Sequence, residues 1–273
     1  MNTLYLYFPQ WQGSGKTNDI YLGASNIKKE LSDQFSFIEL SQPENEELKT
    51  TSGVIGYQSV LRNLEKANKT IKNANPDSIF TLGGDCSVEI APVTYLNDHY
   101  NSDLLVLWFD AHGDLNTPES SPSKTFHGMP LRMILGEGEP TLMENCFSKL
   151  EPNQVVLVGT RDLDLPEQNY VNNSEIEMVS PGVFDIDHLL SIIEKSKRRN
   201  IYIHLDLDVI DPEELPDVMC PTTNGLSFSK VQDSINMIRE KFNVVGGSVV
   251  EYTSKKEPVD NKVLNVLKSL FLE

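Results

Sequence analysis

The stretch Leu104-Leu105-Val106-Leu107-Trp108-Phe109-Asp110-Ala111-His112-Gly113-Asp114 decides the fold. Its six leading apolar residues are far too few to span a membrane, and they read as a strand buried on both faces, the kind that parallel sheets contain. The run then breaks into Asp110, His112 and Asp114 at alternate positions, which in an extended chain point to one side. In open α/β sheets ligands bind outside the carboxyl ends of the strands, so this stretch predicts both a sheet and the edge that carries its chemistry.

Outward from it, apolar or β-branched runs recur at Thr3–Phe8, 35–40, 78–82, 154–159, 175–179, 201–207 and 244–250. Amphipathic stretches at 54–73, 129–135, 187–199, 229–242 and 259–270 lie between them. This alternation predicts one doubly wound α/β domain over residues 1–273, with a mostly parallel eight-stranded sheet and helices on both faces. The unusual polar residues follow the strand runs: Gly83-Gly84-Asp85-Cys86, Asp110 to Asp114, Asp206 to Asp211, and Glu251. Four segments therefore deliver acids and imidazole to one edge, as a single site.

Composition narrows the partners. A net charge of -17 argues against nucleic acid, which needs clustered Lys and Arg. It suits a cationic small substrate, and equally an acidic surface kept soluble. The N-terminal Met1-Asn2-Thr3-Leu4-Tyr5 lacks the pattern of a secretion signal, and no run is long enough for a membrane span. The three cysteines, Cys86, Cys146 and Cys220, are odd in number and scattered, so a reducing cytoplasm is the expected compartment.

Any one of these aspartates could simply cap a loop or helix. Together they could not all stay ionised in a poorly hydrated pocket, because two like charges about 4 Å apart repel by roughly 4 kcal/mol at an effective dielectric of 20. Either several bind protons or cations sit among them. Carboxylates with one or two imidazoles suit hard or borderline divalent ions, Mn²⁺ in particular. The number of ligands exceeds what one ion needs, which points to two ions sharing carboxylates and a water.

As an ordered set, Gly83-Gly84-Asp85-Cys86-Ser87, Asp110-Ala111-His112-Gly113-Asp114, His127-Gly128-Met129-Pro130, Asp206-Leu207-Asp208-Val209-Ile210-Asp211-Pro212 and Val250-Glu251 resemble the motifs of the arginase, or ureohydrolase, family. The resemblance spans about residues 79 to 251, with a weaker trace at Gly23-Ala24 and Ile27. It implies that Asp110, Asp206 and Asp208 hold or bridge two ions, probed first as Mn²⁺, with His112 on one ion, Asp114 on the other and residue 86 as an end ligand. It also implies a metal-bridging hydroxide as nucleophile, Asp114 as its proton acceptor, Glu251 as partner of the guanidinium, and His127 as proton relay. The segment from Asp114 to Ser123 and the segment from Arg161 to Glu167 are most similar to arginase itself. They imply Asn116 and Ser123, with Ser121 nearby, for a substrate α-carboxylate, and Asp164 and Glu167 for its α-amino group. The implied reaction is hydrolysis of L-arginine to L-ornithine and urea. Agmatine, guanidinobutyrate or formimino-glutamate as substrate, or a metal-deficient non-catalytic member, remain alternatives. Family members usually assemble as trimers or hexamers, so a homo-oligomer is an open expectation.

Two departures stand out. The family ordinarily carries His where this chain has Cys86, and a thiolate binds Mn²⁺ poorly and favours thiophilic ions. Cys86 either ligates and alters metal preference, or leaves one ion weakly held, or marks lost catalysis. Met219-Cys220-Pro221 replaces a small turn, so Cys220 either lies near the pocket or is a buried structural thiol. His204, two residues before Asp206, faces the same side of its strand, as a support for the ligands or as a replacement ligand. A competing motif, Gly13-Ser14-Gly15-Lys16-Thr17, follows the first strand like a phosphate loop, but Gln10 stands where that loop needs its first glycine.

Overall fold

The structure, a computed structural model, describes residues 2–15, 17–253 and 255–272. Its strands are β1 (Thr3–Phe8), β2 (Ile38–Glu39), β3 (Thr50–Thr51), β4 (Val54–Ile55), β5 (Ser78–Gly83), β6 (Leu104–Phe109), β7 (Val155–Val158), β8 (Glu177–Val179), β9 (Asn200–Asp206) and β10 (Asn243–Val250). Its helices are α1 (Asp19–Leu31), α2 (Tyr57–Ala74), α3 (Ile90–His99), α4 (Pro130–Ile134), α5 (Pro140–Met143), α6 (Leu165–Asn172), α7 (Ile186–Ser196), α8 (Phe228–Lys241) and α9 (Asn261–Phe271). Eight strands form one sheet in the order β2-β1-β5-β10-β9-β6-β7-β8, and every pairing in it is parallel. The expected eight-stranded α/β architecture is what the chain adopts.

Side-chain alternation along the strands splits the interior into two cores. Leu105, Leu107 and Phe109 of β6 and Ile201, Ile203 and Leu205 of β9 pack with apolar residues of α1, α7, α8 and α9. Val106 and Trp108, with Tyr202, point the other way, against residues of α2, α3 and α4. Every residue of β5, β6 and β9 is buried, which is why their sequences are nearly continuous apolar runs. His204 and Asp206 share the face of Tyr202, and Asp110 continues the face of Trp108, so the site lies on the α2, α3 and α4 side.

Three expectations need correction. The run at 35–40 is a strand only over Ile38–Glu39, both exposed on the sheet edge. The predicted helix at 54–73 starts at Tyr57, because Val54 and Ile55 pair with Thr51 and Thr50 in a small antiparallel hairpin. Helices α1, α3, α5 and α6 lie outside the amphipathic stretches of the sequence; in α3 eight of ten residues are buried, so there is no polar stripe to reveal its period. Among the described residues no helix is long and apolar enough to cross a membrane.

Candidate metal centre

Four adjacent central strands, β5, β10, β9 and β6, end at one edge of the sheet. Asp206 is the last residue of β9, Asp110 and Glu251 are the first beyond β6 and β10, and Cys86 follows β5 by three residues. Asp114 and Glu251 have φ of 52° and 65°, a left-handed conformation that costs a non-glycine residue about 1–2 kcal/mol. Glu251 is held there by its N–H bond to the Gly84 carbonyl, 2.8 Å away. Gly84 must be glycine, since a Cβ would lie 1.8 Å from the Gln10 carbonyl oxygen. That close approach brings the loop after β1 onto Asp85.

Asp85 accepts from Gly13 N at 2.8 Å, from Ser87 N at 3.0 Å and from Gln10 Nε2 at 3.3 Å. Burial pushes its carboxyl up to about 6, with the charge of Glu251 adding to the effect. Its role is to knit two loops beneath the site. Gly13 has committed its N–H to this bond, so the segment that resembled a phosphate loop serves the Gly84 turn instead; Lys16 lies outside the described residues.

The acids beyond the strands are tightly interlinked. Asp208 N donates to Asp206 Oδ1 at 2.7 Å, Ala111 N to Asp208 Oδ1 at 3.0 Å and His112 N to Asp110 Oδ1 at 2.7 Å. His112 Nδ1 lies 3.0 Å from Asp208 Oδ2 and 3.4 Å from Asp110 Oδ1. Trp108 Nε1 donates to Asp110 Oδ2 at 3.1 Å. Asp110, Asp114, Asp206, Asp208 and Glu251 are all less than 5% exposed.

Burial, reinforced by neighbouring carboxylates, drives Asp114 and Asp206 far above the ordinary carboxylate range and takes Asp208 to about 6. At Asp110 the effect of burial is outweighed by hydrogen bonding to His112 and by the charges of His112 and His204, which hold it down. Asp114 Oδ2 and Glu251 Oε2 are buried without a hydrogen-bond partner. Buried, mutually repelling oxygens with unused lone pairs are what divalent cations satisfy, so the residues present fit a metal centre. Three sets of donor atoms lie close enough to share an ion: Cys86, Asp110, Asp114 and His204; Cys86, Asp206 and Glu251; and Asp110, His112 and Asp208.

Cys86 is drawn into this cluster as a donor. Its Sγ bonds Asp206 Oδ2 at 3.1 Å and Glu251 Oε1 at 3.4 Å, and its backbone N–H reaches the same Oε1 at 3.1 Å. Burial, then the charges of Asp114, Asp206, Glu251 and Asp110, push the thiol well up. Without a cation it is a thiol.

The acids open into a cavity of about 150 Å³ that is also lined by Asn116, Ser121, Ser123, His127, Asp164, Glu167 and Cys220. Asn116 Nδ2 donates to Asp164 Oδ2 at 3.0 Å. Glu167 accepts Asp164 N at 2.8 Å and Leu115 N at 3.0 Å, which makes it the reciprocal half of the capping box of α6. Ser121 and Ser123 are 3.4 Å apart through their hydroxyls, and Ser123 is 2.7 Å from Thr125 Oγ1. His127 Nδ1 sits 3.2 Å from Glu251 Oε1. The structure thus gathers the expected metal, catalytic and substrate residues around one cavity, with Asp110 and His204, outside its lining, within 4.8 Å of the donor atoms of Cys86 and Asp114.

Some supporting residues escaped the sequence reading. Arg161 donates to the carbonyls of Gly159, Asp208, Val209, Thr222 and Thr223, which ties the Asp206–Asp211 segment to the loop that carries Cys220. Glu89, fully buried beside His204, also escaped. Trp108 was readable in principle, since it stands two residues before Asp110 on one strand face.

Comparison with known proteins agrees. Residues 20–272 match the model of the arginase family. The chain is 34% identical over 209 residues to an arginase of Staphylococcus aureus (strain MRSA252), covering 73% of this chain and 69% of that one. It is also 34% identical over 214 residues to the arginase of Bacillus subtilis (strain 168), covering 76% and 71%. Its backbone matches the crystal structure of a Bacillus subtilis arginase with a TM-score of 0.83 at 27% identity, covering 100% of this chain and 98% of that one. The fold is likewise that of Entamoeba histolytica arginase in complex with L-ornithine, with a TM-score of 0.89 at 24% identity and coverage of 99% and 98%. The chain belongs to the arginase family, and is a hydrolase of guanidino compounds.

Proposed function

We propose that this ureohydrolase cleaves L-arginine to L-ornithine and urea with two divalent ions, Mn²⁺ first among them. One observation carries the substrate assignment: the cavity with the acid cluster at its base is also lined by the bonded pair Asn116 and Asp164, with Ser121 and Ser123 alongside. Such a wall offers a donor to an α-carboxylate and an acceptor to an α-ammonium, while the base takes a guanidinium.

Asp110, Asp206 and Asp208 would hold the ions together with His112 and Asp114, with Cys86 within reach of the same donors. Divalent ions held there supply a water acidified enough to attack near neutral pH. Asp114 Oδ2, buried and unpartnered, accepts the nucleophile's proton and returns it to the departing amine. Glu251 Oε2, equally unpartnered, pairs with the guanidinium and orients its carbon. His127, beside Glu251 Oε1, relays protons between the site and the open end of the cavity. Glu167 supports the α-amino site through the Asp164 backbone.

The test is urea and ammonia release from arginine, agmatine, guanidinobutyrate and formimino-glutamate, with metal content measured in the same sample. Arginine is expected to dominate. Higher turnover of any of the other three would overturn the assignment.

A further inference from the structure

His204 stands inside β9 among apolar neighbours, fully buried, with its ring stacked on Trp108 at a centroid distance of 3.6 Å and 19° between planes. Its two nitrogens are used unequally. Nδ1 lies 3.3 Å from Glu89 Oε1 and 3.5 Å from Ser248 Oγ. Nε2 is buried, makes no hydrogen bond, and points to the acid cluster, 3.7 Å from Asp110 Oδ2. Donor atoms of Cys86, Asp110, Asp114 and His204 all lie within 4.8 Å of one another. Ligands on opposite sides of one small divalent ion are about 4.2–4.6 Å apart, so little movement would close this set.

We infer that His204 supplies, from β9, the imidazole that Cys86 denies to this metal centre, ligating through Nε2 the ion held by Asp110 and Asp114. The inference rests on the metal reading above and adds a ligand to it.

Three features favour ligation over passive support. A ligating imidazole donates its other ring N–H to a carboxylate or carbonyl, which fixes tautomer and orientation, and Glu89 is placed to receive that bond from Nδ1. Glu89 is itself 0% exposed with both carboxylate oxygens short of a hydrogen-bond partner, so an acceptor stands ready for the Nδ1 N–H. Trp108 fixes the ring plane from one side while bonding Asp110 Oδ2, so ring and carboxylate are positioned by the same residue. The Cys86 thiol, engaged with Asp206 and Glu251, leaves room for a nitrogen donor to complete this ion.

The experiment uses metal-stripped whole protein titrated with Co²⁺ and followed by proton NMR. Each imidazole on a paramagnetic Co²⁺ gives one far-shifted, exchangeable ring N–H signal. Wild type is expected to show two such signals at saturation, one from half-exposed His112 in fast exchange and one from buried His204 in slow exchange. His112→Ala should retain only the slow signal, and His127→Ala both, so the assignment stands even if His204→Ala does not fold. Glu89→Gln, which keeps the shape, should weaken Mn²⁺ at one site roughly ten- to hundredfold in a calorimetric titration. Bound ions with a single imidazole signal, lost in His112→Ala, would overturn the role of His204 and leave the metal reading intact. Absence of any bound ion would overturn both.

Discussion

Asn116 Nδ2 and Asp164 Oδ2 meet at 3.0 Å, joining the loop after Asp114 to the start of α6 as one wall of the cavity. A substrate with both an α-carboxylate and an α-ammonium can use each partner; agmatine, which lacks the carboxylate, leaves Asn116 without its ligand bond. A site built to bond a polar group discriminates against the analogue lacking it, because its own atoms are left unpaired. Asn116→Ala and Asp164→Ala should each lower kcat/KM for arginine roughly ten- to hundredfold, at about 1–3 kcal/mol per lost bond. Equal kcat/KM for arginine and agmatine in the wild-type protein would remove the basis for this wall's role.

The acid cluster also predicts how the metal-stripped protein responds to pH. Burial and mutual repulsion raise Asp114 and Asp206 far above their unfolded value and Asp208 and Asp85 to about 6. A carboxyl with a raised folded pKa contributes most below its unfolded value, and that contribution is lost as pH climbs through the folded one. His112, raised by its hydrogen bonds to Asp110 and Asp208 against the effect of burial, acts in the same direction above its unfolded value of 6.5. Stability should therefore fall from pH 5 to 8, by about 1.4 kcal/mol per unit for each extra proton that the folded state retains. Saturating Mn²⁺ should raise Tm most at the alkaline end, because bound ions replace those protons. A metal-free Tm that is higher at pH 8 than at pH 5 contradicts this electrostatic picture.

How much of this was legible in advance follows from burial. Asp110, Asp206 and Glu251 announce themselves because each ends an apolar run, and an acid there has no place in a core. The strand runs were legible for the same reason, since β5, β6 and β9 are covered on both faces. Helix α3 is covered all round, and so loses the polar stripe that would mark its period. The partnership of Glu89 with His204 was not legible at all. Glu89 lies on a short helical turn after Cys86, and only the sheet order β5-β10-β9 places it against a residue 115 positions away. The Gly13 segment, set aside as a phosphate loop on account of Gln10, showed no sign in sequence of its partner in space, Asp85.

Cys86 invites a direct substitution. As a thiol bonded to Asp206 and Glu251 it is a poor ligand for Mn²⁺, while the carboxylates around it suit that ion. Cys86→His should raise Mn²⁺ affinity for one ion and activity at limiting metal, while Cys86→Ala should leave the other ion in place. If the sulfur ligates, Cys86→Ala should cost Zn²⁺ or Co²⁺ more affinity than Mn²⁺; if it does not, the losses should match. Calorimetry on the three proteins decides. Equal Mn²⁺ affinity and occupancy in wild type and Cys86→His would mean that residue 86 does not limit metal binding.

Glu251 carries the most demanding prediction. Its backbone is held at a φ of 65°, and its Oε1 takes the Cys86 N–H, the Cys86 thiol and the His127 contact. All of that fixes one oxygen and leaves Oε2 buried and unbonded, facing the charge that a guanidinium would bring. Glu251→Gln keeps shape and volume but removes the negative charge. It should lower kcat/KM for arginine by roughly ten- to hundredfold, since hydrogen bonds to charged groups are worth about 1.5–3 kcal/mol. Glu251→Asp should not restore it, because the shorter arm draws the oxygen back from the cavity. His127→Ala should instead depress kcat with little change in KM, and added imidazole should recover part of the loss if the ring only relays protons. Steady-state urea release by the three variants, each checked for metal content, separates orientation from proton transfer. Wild-type kcat/KM in Glu251→Gln would show that the guanidinium is held elsewhere.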